Sequence, residues 1–89
     1  MFEWDEEKRL KNVAKHGLDF LEAPSVFDHP YKVTFDYVIQ NEERFLDMAL
    51  YKGNLCCLVY TKRGHYIRLI SFRKASRKER KKYDHYQKD

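Results

Sequence analysis

The sequence predicts an α+β domain, an antiparallel sheet with helices on one face, with its elements in the order β-α-α-β-β-β-β-α. Three observations predict it. Residues 6–16 carry a helical pattern with both a start and a stop signal. Four strand-like runs follow between residues 32 and 73, and their turns are so short that they favour antiparallel neighbours. The last stretch opens on an S-x-x-E capping box. All 89 residues are read as one domain, because a second would be too small to bury a core of its own.

Phe2-Glu3-Trp4 alternates apolar and polar residues, as a short strand does. Asp5 is then a good N-cap, and Glu6 and Glu7 occupy a first turn, where the helix dipole favours anions. Leu10, Val13 and Ala14 fall at i, i+3 and i+4 and make one apolar stripe. Lys15 and His16 suit a last turn and Gly17 suits the C′ position, so the helix is predicted over 6–16. Phe20, Ala23, Val26 and Phe27 follow at helical spacing behind Asp19. Pro24 lies inside that pattern and would remove one helical hydrogen bond. A helix over about 20–27 therefore needs Pro24 in its first turn, or a kink.

Three strand-like runs come next, at 32–38, 44–51 and 55–61. The third is almost wholly apolar, which predicts a central place in the sheet. Lys62-Arg63-Gly64-His65 reads as a hairpin turn into a fourth run, Tyr66 to Arg73. Strict alternation would put Ile67, Leu69, Ser71 and Arg73 on one face and Tyr66, Arg68, Ile70 and Phe72 on the other. Arg68 and Arg73 then point to opposite faces unless a bulge intervenes. Ser76 with Glu79 opens a polar helix of roughly 77–87, packed through Tyr83 and Tyr86.

Charge is unevenly spread along the chain. Residues 1–61 hold seven Lys/Arg against eleven Asp/Glu, net −4; residues 62–89 hold eleven against three, net +8. That asymmetry predicts a polyanion-facing surface at the C-terminal end. With 16% aromatic residues the chain can build a core despite its 36% charged residues. No apolar run approaches the ~20 residues of a membrane span. The acidic start of the chain has no apolar segment of the kind a secretory signal needs, and the expected location is the cytoplasm. Cys56 and Cys57 are adjacent, an awkward geometry for a disulfide, and read as two small core-filling thiols. The four His and two Cys have no metal-ligand spacing, and there is no Walker loop or G-x-G-x-x-G, so no cofactor is expected.

The chemistry is concentrated between Tyr60 and Tyr83. Its polar groups are Tyr60, Lys62, Arg63, His65, Arg68, Arg73, Lys74, Arg77 and Arg80. A guanidinium is permanently charged and forks onto phosphate oxygens. Tyrosines on the same sheet can stack bases. Lys78, Lys81 and Lys82 also fit a simply solvated helix face. Arg63 and Arg73 would sit roughly 23 Å apart along a meander at about 3.3 Å per residue. They share a site only if other elements fold over the sheet. His16 admits two readings, a favourable charge at a helix C-terminus or a general acid–base.

Several ordered strings are similar to the BrnT family of toxins of bacterial type II toxin–antitoxin systems. They are Phe2-Glu3-Trp4-Asp5, Asn12 with Lys15-His16-Gly17, Phe20 with Glu22-Ala23, Val26-Phe27-Asp28 with Pro30, and Glu43-Arg44. Val59-Tyr60-Thr61 with Arg63-Gly64, Arg68 with Ile70-Ser71, Arg73-Lys74-Ala75, and Glu79-Arg80 with Tyr83 complete the set. The sequence departs from the family pattern at Met48-Ala49-Leu50, Phe72 and Pro24, none of which replaces a charged motif residue.

The resemblance implies a RelE-like fold and a metal-independent endoribonuclease that inhibits translation. It also implies neutralisation by a BrnA-type antitoxin, DNA contact only through that antitoxin, and a homodimer or a heterotetramer with it. On that footing Arg63 and Arg73 are expected to stabilise the transition state, with His16 or Lys15 transferring protons. Tyr60, Arg68, Lys74, Arg77 and Arg80 are expected to position RNA. The same basic surface also fits a non-catalytic nucleic-acid-binding or corepressor module acting with the antitoxin, or a subunit whose basic face serves only oligomerisation.

Overall fold

The structure, a computed structural model, describes residues 1–87. Strand β1 (Phe2–Glu3) leads into helix α1 (Glu6–His16). A 3-10 turn at Phe20–Glu22 and a one-turn helix α2 (Pro24–Phe27) follow. Strands β2 (Val33–Ile39), β3 (Glu42–Tyr51), β4 (Asn54–Arg63) and β5 (Tyr66–Lys74) then form a meander, and α3 (Arg77–Tyr86) closes the chain. The fold is α+β, in the element order the sequence predicts.

The local signals act as expected. Asp5 accepts hydrogen bonds from the N–H groups of Glu7 and Lys8, and Gly17, at φ 71°, ends α1 in the left-handed conformation. Pro24 falls at the start of α2, where its missing N–H costs nothing, so the region splits into a 3-10 turn and a helix. Ser76 and Glu79 complete a reciprocal capping box at α3. The turn Gln40-Asn41 has positive φ at both residues, the geometry of a two-residue hairpin, so β3 starts at Glu42 rather than at Arg44.

Two details of the predicted architecture are corrected. The sheet runs β1-β5-β4-β3-β2, and β1 pairs in parallel with β5, so the sheet is mixed. The helices lie on both faces. One face, here called inner, carries Cys56, Leu58, Tyr60, Leu69 and Phe72 against Phe20, Ala23 and Val26. The outer face carries Met48, Leu55 and Cys57, packed against Ala75 and Tyr83 of the α3 segment. Cys56, Leu58 and Tyr60 of β4 enter one core and Leu55 and Cys57 the other, which is why the strand is apolar on both sides.

Helix α1 is also not held as its apolar stripe suggests. Leu10 is 55% exposed and Val13 37%; the residue α1 buries is Asn12. The Asn12 amide donates to the carbonyls of Leu18 and Phe72, both at 2.8 Å, and accepts from the Phe72 N–H at 3.2 Å. It acts as one extra residue of pairing on the β5 edge, beyond the point where β1 leaves it. This closes an edge that would otherwise be open. Asn12→Ala should lower stability by about 2 kcal/mol, because the Phe72 backbone groups lose their partners. A thermal melt read by circular dichroism checks this, and an unchanged melting temperature would contradict the edge-closing role.

Candidate functional site

The pairing of β4 with β5 decides which charges meet. Cys57 pairs with Arg73 and Val59 with Ser71, but Tyr60 pairs with Leu69, so Ile70 is an extra residue on β5. This bulge reverses the alternation once. Beyond it Thr61 pairs with Arg68 and Arg63 with Tyr66. Residues opposite one another across a pair share a face. Arg63, Arg68 and Arg73 therefore all lie on the outer face. Arg63 and Arg73 stand about 20 Å apart along it at ~3.3 Å per residue, with Arg68 between them.

Helix α1 runs beside this face and brings a second set of cations. Lys8, Lys11, Lys15 and His16, at i, i+3, i+7 and i+8, share one side of the helix. Lys8, Lys11, Asn12, Lys15 and His16 line one depression together with Ile70 and Ser71. Arg63, Arg68, Arg44, Thr61 and Glu42 line a second, which also includes Lys8 and Ile70. The bulged residue and Lys8 thus join the two depressions into one basic trough.

The arginines differ in how they are held. Arg44 pairs with Glu42 at 2.9 Å, and Arg68 approaches Glu3 at 3.6 Å. Arg63 is exposed and makes no ion pair among the described residues. The Arg73 fork is taken by Glu79, at 2.7 and 2.9 Å, and the Cys57 thiol donates to the same carboxylate at 3.5 Å. Arg73 therefore also fastens α3 to the sheet. The Cys57 thiol is pushed up to about 12, chiefly by burial, so it is no nucleophile.

The Glu79 carboxyl is held at about 2, mainly by Arg73. Its folded-state value lies below the ordinary 4.5, so the stability it supplies is full above about pH 4.5 and is lost as pH falls towards 2. Melting curves taken from pH 5 to pH 2 should fall more steeply for the wild type than for Glu79→Gln. Parallel curves would contradict the linkage.

His16 is half-buried. Burial first, then the charges of Lys15 and Arg73, hold its imidazole below the ordinary 6.5. It is therefore neutral at pH 7 and able to accept a proton.

The remaining predicted site residues fall elsewhere. Tyr60 is corrected as an RNA contact: it is 3% exposed, on the inner face, stacked on Phe45 and edge-on to Phe27. Its hydroxyl donates to buried Asp47 at 3.2 Å. Lys74 pairs with Cys56 and so turns to the inner face, away from the arginines. Arg77 and Arg80 are exposed on α3 and line neither depression. Lys8, Lys11 and Arg44 were not foreseen. The i, i+3, i+7 spacing of the lysines was a readable signal for the first two. Among the described residues no three His, Cys, Asp or Glu side chains gather as a metal site would need, and no helix is long and apolar enough to cross a membrane.

A trough lined by guanidinium and ammonium groups beside a neutral imidazole attracts a phosphodiester backbone. The class this defines is a small basic α+β protein that engages nucleic acid. The family profile described as the ribonuclease toxin BrnT of type II toxin–antitoxin systems matches residues 4–79. The chain belongs to that family, which implies an RNA substrate and a cognate antitoxin. No curated protein matches it.

Proposed function

We propose that this toxin cleaves RNA endonucleolytically without a metal, in the trough between α1 and the outer face of β4 and β5, and thereby inhibits translation. One observation carries the reading: the Ile70 bulge places Arg63, Arg68 and Arg73 on one face, beside the basic side of α1.

A single strand laid along the trough meets cations throughout. The scissile phosphate sits over Ile70, where the two depressions join. Arg63 and Arg68, with Lys8, stabilise the charge that builds on the phosphorane. His16, neutral at pH 7, takes the 2′-hydroxyl proton. Lys15 beside it returns a proton to the departing 5′-oxygen. Arg73, fixed by Glu79, adds positive potential at the His16 end and keeps α3 in place. The same charges suit neutralisation by a BrnA-type antitoxin, and this part of the proposal rests on the family. We also take residues 1–89 as one toxin domain that works in the cytoplasm.

Purified protein incubated with bulk RNA in excess EDTA should cut it. Cleavage that appears only when Mg²⁺ is restored would contradict metal independence. Salt-sensitive binding without any cleavage would favour the non-catalytic module instead.

A further inference from the structure

We propose that Tyr66, which flanks the trough next to Arg63 and Arg68 without lining either depression, is a base-stacking residue, so that the substrate is recognised as a single strand with at least one unstacked base beside the arginines. The inference rests on the RNA-cleaving reading above and adds a nucleobase subsite to it. Tyr66 opens β5 directly opposite Arg63, across the two-residue turn Gly64-His65. Arg68 lies two residues further along the same strand and on the same face. The Tyr66 side chain is 51% exposed and belongs to neither core cluster. Among the described residues its ring pairs with no other aromatic ring. The other tyrosine expected to meet RNA, Tyr60, is sealed in the core. A second pair of the same kind, Tyr37 opposite Arg44, lies on the outer face at β2–β3.

An exposed aromatic ring on the same face as two neighbouring arginines suits one ligand chemistry. A base has a π-face that stacks on the phenol ring, and its flanking phosphates reach the arginines. In a duplex the bases are stacked inside and paired, so their faces are closed to Tyr66. The phenol hydroxyl has no part in this arrangement; the ring alone carries it.

The test uses the full chain and two non-cleavable probes of equal length, a 2′-O-methyl RNA oligonucleotide and a spacer backbone with the same phosphates and no bases. Binding is read by fluorescence anisotropy across a range of salt concentrations. Tyr66→Ala should weaken the base-bearing probe by about 5- to 100-fold and leave the spacer unchanged. Tyr66→Phe should stay within about twofold of the wild type, since the stacking face is kept. The salt slope should be unchanged in Tyr66→Ala and smaller by about one in Arg63→Ala. Equal weakening of both probes, or no weakening of either, would overturn the base-stacking role while leaving the basic trough intact. A wild type that binds neither probe would overturn the trough as well. An unchanged far-UV spectrum and melting temperature for Tyr66→Ala confirm that the comparison is between folded proteins.

Discussion

The double variant Arg63→Ala/Arg68→Ala should lose RNA cleavage by on the order of 100- to 1,000-fold, measured as initial rate on one defined RNA. The size follows from what the two side chains face. Both line the depression that also holds Lys8 and Arg44, and among the described residues Arg63 has no acidic partner to release. Charge that develops on a phosphorane must be met by groups already in position, and these two arginines line the same depression as the bulged Ile70. The fold should survive, because Arg63 is exposed and the Arg68–Glu3 contact is a partly exposed pair at 3.6 Å. A rate within about threefold of the wild type would contradict the transition-state role, since one lost donor alone costs more than that.

The largest effect on stability should come from Asp47, which has no contact with the trough. Its side chain is fully buried in β3. It accepts from Lys32 Nζ at 2.9 Å, Thr34 Oγ1 at 2.6 Å and Tyr60 Oη at 3.2 Å. A carboxylate tolerates burial when both of its oxygens have such donors. Asp47→Ala removes the acceptor that three donors share, one of them the charged Lys32. The expected loss is about 3–5 kcal/mol, measured by urea unfolding. Asp47→Asn should also destabilise, because its new N–H donors would face the donors of Lys32, Thr34 and Tyr60. A loss below about 1 kcal/mol in both variants would mean that the network is relaxed or hydrated.

Local chemistry was readable in the sequence, and pairwise chemistry was not. Asp5, Gly17, Ser76 and Glu79 announce the ends of α1 and α3 because capping involves only a few neighbouring residues. The meander follows from four strand-like runs and short turns. The bulge at Ile70 is different. It exists only in the register between β4 and β5, and an isoleucine inside an apolar run carries no mark of it. The conditional reading of Arg68 and Arg73 therefore waited on the structure, which brings both to one face.

Tyr60 was misplaced for a related reason. Its neighbours Thr61, Lys62 and Arg63 are polar, but its strand is central and both faces of β4 are covered up to Thr61. The side of α3 was equally hidden. Nothing in a polar helix says which face of a sheet it will meet, and here the Glu79–Arg73 pair and Tyr83 choose the outer one. In α1 the apolar stripe Leu10-Val13-Ala14 suggested a buried side, whereas two hydrogen bonds between Asn12 and the Phe72 backbone set the helix the other way. That choice is what turns Lys8, Lys11 and Lys15 towards the arginines.

The account stands or falls on where RNA lies on this surface. A titration of the ¹⁵N-labelled protein with a non-cleavable 2′-O-methyl oligonucleotide, followed by amide chemical shifts, locates it without depending on turnover. The account predicts shifts that cluster on Lys8, Lys11, Lys15 and His16 of α1 and on Arg63, Tyr66, Arg68 and Ile70 of the sheet. Shifts confined to Lys74, Arg77 and Arg80, with α1 and the β4–β5 hairpin unmoved, would contradict it.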